Sequence, residues 1–152
     1  EDDVSTQEVM LISPDLWRST LKPRLAKIIQ SARAVKPDIL IFYHGDGNLE
    51  RIVPDLIEVG VDVLNPVQPE CVDPFKMKEL YGDRLSFWGC VGTQTTMPFG
   101  TQEEIFEVCK KLICEVGKGG GLLLAPTHTI EPEVPYENLE AFLKAVELYG
   151  KY

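Results

Sequence analysis

The sequence predicts an α/β fold in which parallel strands are joined by crossover helices. Three observations carry that expectation. Short unbroken apolar runs recur along the chain, as in strands buried on both faces of a parallel sheet. Each run is followed by a segment with apolar residues at helical spacing. The polar residues able to do chemistry fall just after the runs, where parallel α/β folds place their working groups.

Ser13-Pro14-Asp15 opens the first helix: Ser13 caps it, Pro14 suits its first turn and Asp15 complements the dipole. Leu16, Trp17, Leu21, Leu25, Ile28, Ile29 and Ala32 continue the stripe, and Pro23 within it predicts a break or kink. Asp38-Ile39-Leu40-Ile41-Phe42-Tyr43 reads as the first strand and helix 49–59 follows. A strand at 61–64, a short helix near 73–81 and a strand at 85–89 come next. Thr101 and Glu104 form a capping box for helix 102–116. Gly119-Gly120-Gly121 releases the chain into strand 122–125, and helix 136–149 is expected to bury Leu139, Phe142, Leu143 and Val146. Val9-Met10-Leu11 reads as the loop after a further strand, and Trp17, Trp88 and Phe99 as packing residues. Four strand–helix units of one kind mean a parallel sheet. Both an open doubly wound sheet and half of a closed barrel fit the order.

The 152 residues, 44% hydrophobic and 26% charged, suffice for one domain with a core. A net charge of −9 repels phosphate backbones, and no basic block or long apolar run occurs, so neither nucleic acid nor membrane is an expected partner. Cys71, Cys90, Cys109 and Cys114 lack CxxC spacing and read as reduced thiols. With no secretory leader in view, a soluble cytoplasmic protein is expected. Glu1 stands where a Met would, which leads to the expectation that upstream sequence was removed or omitted.

The first strand ends in His44-Gly45-Asp46-Gly47-Asn48, the second in Asn65-Pro66-Val67-Gln68, the third in Cys90-Val91-Gly92-Thr93-Gln94 and the fourth in Pro126-Thr127-His128. Both histidines of the chain thus lie at strand ends. His44, Asp46 and His128 are the expected metal ligands; zinc suits three such ligands with an open position, and ferrous iron suits two His with a carboxylate. The competing reading is two unrelated loop histidines satisfied by backbone. Gly45 and Gly47 permit a turn or a close ligand approach, but HGDGN is not a phosphate-cradling GxGxxG, so nucleotide binding is not expected. Asn65, Gln68 and Gln94 are candidates to hydrogen-bond a small-molecule substrate. Asp3 is expected to face the same mouth. Cys90, with no basic neighbour in sequence, reads as packing rather than as a nucleophile.

Several stretches resemble the second half of uroporphyrinogen decarboxylase-like proteins. They are Asp2-Asp3-x-x-Thr6-Gln7, Ser13-Pro14-x-Leu16-Trp17 with Lys22-Pro23, and Leu56-x-x-x-Gly60-Val61-Asp62. Gly100-Thr101-x-x-Glu104, Gly119-Gly120-Gly121 through Ala125-Pro126-x-His128, and Pro135-x-Glu137-Asn138-Leu139 complete the set. The resemblance covers nearly the whole chain. It implies the C-terminal half of a (β/α)₈ TIM barrel, in which residues 1–152 form a single incomplete domain of about the last four and a half βα units. An enzyme is then expected once an N-terminal half completes the barrel, and the substrate-binding arginines of the decarboxylase would lie in that half.

The resemblance implies one of two chemistries. Metal-dependent methyl transfer to or from a corrinoid or thiol ranks first. Those methyltransferases carry a His-x-Cys after one strand and a Cys after the last, where this chain has His44, Asp46 and His128. The implied cofactor is zinc or another divalent metal, with a corrinoid, carried by a partner protein, as the second. Decarboxylation of uroporphyrinogen in porphyrin biosynthesis ranks next, a lyase reaction needing no metal or cofactor. Asp46 and His128 are the expected catalytic residues. A third reading is a non-catalytic half-barrel that associates with itself or with a partner chain.

Overall fold

A computed structural model describes residues 2–151. Helix α1 (Pro14–Thr20) is capped by Ser13, whose Oγ accepts from Leu16 N at 3.1 Å. The stripe breaks at Leu21, and α2 (Lys22–Val35) starts afresh with Pro23 in its first turn, where the missing N–H costs nothing. Strand β1 (Phe42–His44) leads through a 3₁₀ turn (Glu50–Ile52) into α3 (Val53–Val59). Then follow β2 (Val63–Val67), α4 (Pro74–Tyr81), β3 (Ser86–Val91), a one-turn helix α5 (Thr96–Phe99) and α6 (Gln102–Lys111). A π turn (Leu112–Val116) extends α6, and β4 (Leu122–Pro126) and α7 (Tyr136–Tyr149) complete the order. The capping box forms: Glu104 N donates to Thr101 Oγ1 at 3.2 Å and Thr101 N to Glu104 Oε2 at 2.7 Å.

The four strands are all parallel and lie in the order β1-β2-β3-β4. All four end later than the apolar runs suggest, and the first three also start later, while β4 starts at Leu122 as expected. Residues 38–41 are not in the ladder; Ile41 O accepts from Val63 N at 3.0 Å and from Asp62 N at 2.8 Å, and Ile41 N is met by the side chain of Asp62. Its carboxylate accepts from Ile41 N at 2.7 Å and from Arg33 Nη2 at 3.0 Å, tying the end of α2 to the start of the sheet. At the other end the ladder carries His44 opposite Asn65 and Val91 opposite Pro126. Two candidate site residues therefore sit on strands rather than on loops.

The faces of the sheet differ. Tyr43, Leu64 and Phe87 lie in register on one face and are buried in the core with Ile52, Leu56, Met77 and Ile105. Each such side chain contributes about 1.5–3 kcal/mol relative to exposure. On the opposite face Phe42 is 48% exposed and Leu123 53% exposed, with the Phe42 and Trp88 rings 5.1 Å apart. A doubly wound sheet covers both faces with helices; this one leaves an apolar face half open, as a segment of a barrel wall does. His44 and Asn65 lie two residues on from Phe42 and Val63, so they share the open face.

Two expected packing residues differ from the sequence reading. Phe99 is exposed. Helix α7 turns Asn138, Ala141, Phe142 and Ala145 inward, an i, i+3, i+4, i+7 stripe that leaves Leu143 on the solvent side. Asn138 is buried to good purpose, since its Nδ2 donates to Met97 O at 2.9 Å and Gly100 O at 2.8 Å. Below β1, Asp55 binds Lys22 Nζ at 2.8 Å and Arg18 Nε at 3.0 Å. Burial works against its charge, but those two hydrogen bonds prevail and hold its carboxyl below the ordinary range.

Candidate metal centre

The site grows out of the end of β1. Residues 2–10 form a loop, with an antiparallel bridge between Ser5 and Met10, that folds over the His44–Asn48 turn. Asp2 N donates to His44 O at 3.1 Å, and Asn48 N to Thr6 O at 2.8 Å. Gly47 has φ +87, and a Cβ there would lie 2.3 Å from Thr6 O. Only glycine accommodates both the backbone angle and the approach. Val9-Met10-Leu11, read as a loop after a strand, forms the end of this segment and its exit.

Three potential ligand groups converge here. Among the described residues, Asp3, His44 and Asp46 each offer an atom within 4.8 Å of the others. His44 and Asp46 flank Gly45 and point the same way, with Nε2 and Oδ2 3.8 Å apart. Ligands in a tetrahedron around zinc sit about 3.4 Å apart, so no pair of these groups needs to close by more than about 1.4 Å. Asp46 N donates to Asp3 Oδ1 at 3.0 Å, which draws Asp3 into place. Asp46 Oδ1 is buried without a hydrogen-bond partner in the protein. A carboxylate partly withdrawn from water and short of donors favours a cation beside it, and its other oxygen, Oδ2, is the one that faces His44. A nitrogen and two oxygens form a harder donor set than the sulfur-rich one of the methyltransferase resemblance, and suit zinc or another divalent ion.

His128 lies outside that cluster of three. It lines a cavity of about 380 Å³ together with Asp46, Gln68, Gln94 and the carboxylates of Glu131 and Glu133. Two of the expected ligands are thus neighbours, and the third stands on the wall of the adjoining cavity. Gln68 and Gln94 also line this cavity, as candidates to meet a substrate should. Each already holds a protein partner. Gln68 Oε1 accepts from Gly47 N at 2.6 Å, and Gln94 Oε1 accepts from Gln7 Nε2 at 2.6 Å. Asn65 turns to His44: its Oδ1 lies 2.7 Å from Nδ1.

Reasoning from sequence gave Asp3 a substrate-facing part and missed its place beside His44. The available signal was weak, an acidic residue in a segment expected to reach the same mouth. The cysteines behave as packing groups where they are buried. Burial pushes the thiols of Cys90 and Cys109 up to about 12. Burial, then Glu70 and Asp46, raise that of Cys71. No helix among the described residues is long and apolar enough to cross a membrane.

Residues 3–149 match the family model for uroporphyrinogen decarboxylase (URO-D). The methylcobamide:CoM methyltransferase MtaA of Methanosarcina barkeri is 30% identical over 149 residues, which is 97% of this chain and 40% of that protein. A uroporphyrinogen decarboxylase of Hydrogenovibrio crunogenus is 26% identical over 152 residues, 91% of this chain and 41% of the relative. Among solved structures, a methyltransferase from Methanosarcina mazei superposes with a TM-score of 0.71 at 29% identity, covering 92% of this chain and 39% of that one. The chain spans about 40% of the length of the relatives it matches.

Proposed function

The chain belongs to the uroporphyrinogen decarboxylase family, and from that membership and the geometry at the end of β1 we propose that it is the metal-binding part of a methyltransferase acting between a corrinoid and a thiol. The observation that carries this reading is the convergence of Asp3, His44 and Asp46, with one oxygen of the Asp46 carboxylate buried without a donor. Decarboxylation needs no such cluster.

His44 Nε2 and the carboxylates of Asp46 and Asp3 would hold zinc or another divalent ion. Bound there, the metal would supply Lewis acidity, keeping a thiol substrate as thiolate near neutral pH. His128 faces the same cavity and is the residue we assign to receive the thiol proton. Gln94 and Thr93 border the cavity beside it and would orient the polar part of the substrate. The methyl carrier would be a corrinoid, delivered by a protein that meets the strand-end mouth.

The half-open sheet face needs a cover. We assign it to a complementing half-barrel, of the kind that the remaining length of the relatives would supply. Residues 1–152 then form one domain that is complete only with that complement, and the enzyme is active only when joined to it. Four free cysteines are in keeping with a cytoplasmic setting.

The purified chain, titrated with zinc against a chromophoric chelator, is expected to bind one equivalent. His44→Ala and Asp46→Ala should each weaken binding by more than about 100-fold, since two protein ligands rarely hold zinc. His128→Gln should leave zinc affinity within about twofold and instead slow methyl transfer from methylcobalamin to a thiol in the completed enzyme. Equal zinc binding by all four proteins would overturn the metal reading. Decarboxylation, the activity in the name of the relative from Hydrogenovibrio crunogenus, would then move ahead, with His128 and Asp46 as its polar residues.

A further inference from the structure

The metal reading leaves open how His44 comes to present a lone pair to the cluster. A neutral imidazole carries its proton on one of two nitrogens, and only the other can bind a cation. The ring of His44 has Nδ1 2.7 Å from Asn65 Oδ1 and Nε2 3.8 Å from Asp46 Oδ2. A carboxamide oxygen can only accept, so the short contact requires the proton on Nδ1. Nε2 is then the bare nitrogen, and it faces the Asp46 carboxylate.

We propose that Asn65 is a positioning residue, which fixes the tautomer and the ring plane of His44 so that Nε2 is held ready for a cation. This deepens the metal reading and rests on it for its purpose, but the tautomer itself exists without any ion. The backbone supports the arrangement. His44 and Asn65 are opposite one another in the β1–β2 ladder, and Gly45 N donates to Asn65 O at 2.9 Å. The two side chains emerge from neighbouring strands on the same face, so the distance between them is set by the sheet and not by a loop. Asn65 is not among the residues of the adjoining cavity, and its oxygen is committed to the ring. Partners that hold the second ring nitrogen of a metal-binding His typically matter about 10–100-fold in affinity.

The test uses protein with ¹⁵N-labelled imidazoles, free of metal, at a pH above the ordinary imidazole range, with His44→Gln identifying which of the two histidines gives which signal. The native ring of His44 should show a protonated Nδ1 and a bare Nε2. Asn65→Ala should give a mixture in which the Nε2-protonated form predominates, as in free imidazole side chains, and should weaken zinc by about 10–100-fold. Asn65→Asp keeps an acceptor at the same distance and should restore both the tautomer and most of the affinity. It also serves where Asn65→Ala fails to fold, since a folded Asn65→Asp protein with Nε2 protonated would overturn the proposal. So would an unchanged tautomer in Asn65→Ala, or a native ring protonated on Nε2. A native protein that binds no zinc, yet loses the Nδ1–H form in Asn65→Ala, would sink the metal reading while upholding the role of Asn65.

Discussion

The two sides of the cavity at the strand ends are built differently. The side made by the ends of β1 and β2 is cross-braced. Ser5 Oγ donates to Asp46 O at 2.6 Å, Asp46 N to Asp3 Oδ1, Gly47 N to Gln68 Oε1, and His44 Nδ1 to Asn65 Oδ1. These bonds join residues 21–43 positions apart in sequence. The side made by the ends of β3 and β4 is braced less, chiefly at its rim, where Gln94 N and Thr95 Oγ1 donate to Glu70 Oε1 at 3.4 and 2.9 Å. Thr93 and Thr127 share one hydroxyl contact at 3.3 Å, Gln7 reaches Gln94, and His128, Thr129, Glu131 and Glu133 are exposed. A cation needs ligands held in place before it arrives, whereas a substrate-facing wall can adjust around its guest. The contrast fits the roles assigned above, and it can be broken by substitutions on each side.

The largest effect is expected at Gly47. Alanine there would sit in the left-handed region, costing about 1–2 kcal/mol, and its Cβ would drive into the Thr6 carbonyl 2.3 Å away. The loop of residues 2–10 has to move for the side chain to fit, and Asp3 moves with it. A total loss of about 2–4 kcal/mol is expected by urea unfolding, together with weakened zinc binding. Gly119→Ala is the control. Its φ is also positive, at +78, but nothing lies within 4 Å of an added Cβ, so only the backbone cost should appear. Equal losses at the two positions would mean that Thr6 does not press on the turn.

The contrast between the sides also explains what could be read in the sequence. The parallel order of four strands was legible because apolar runs and helical stripes are local patterns. Helix α7 was legible to the residue at both ends, and Pro23 marked the break between α1 and α2. His44 and Asp46 stood out as a close pair because i and i+2 in extended chain share a side. What crosses between segments was not legible. The Asn65 partner of His44 depends on the β1–β2 register, and Asp3 reaches the cluster through a loop that nothing in its own residues directs there. The Asp62 side chain takes Ile41 N ahead of the first rung of β1, a bond invisible to periodicity. His128 stands two strands beyond β2, so its distance from Asp46 depends on the curl of the whole sheet.

The smallest effect, at Gln94, and the sharpest test of the contrast come from truncating in turn the two glutamines of the cavity wall. Both side chains line the same space and both accept a 2.6 Å hydrogen bond, so a contact census alone would rank them equal. Their surroundings differ. Gln68 is 5% exposed and its Oε1 is the acceptor for Gly47 N, a backbone donor shut away from water. Gln68→Ala leaves that donor without a partner and should cost about 1–3 kcal/mol. Gln94 and Gln7 meet at the surface, where water replaces either amide at once. Gln94→Ala should therefore change stability by less than about 0.5 kcal/mol. Zinc should separate them in the same sense: loosening Gly47 disturbs Asp46 one residue away, while Gln94 has no bond to the cluster. If Gln94→Ala also releases zinc, the two walls act as one unit, and the division between a braced metal side and an adaptable substrate side does not hold.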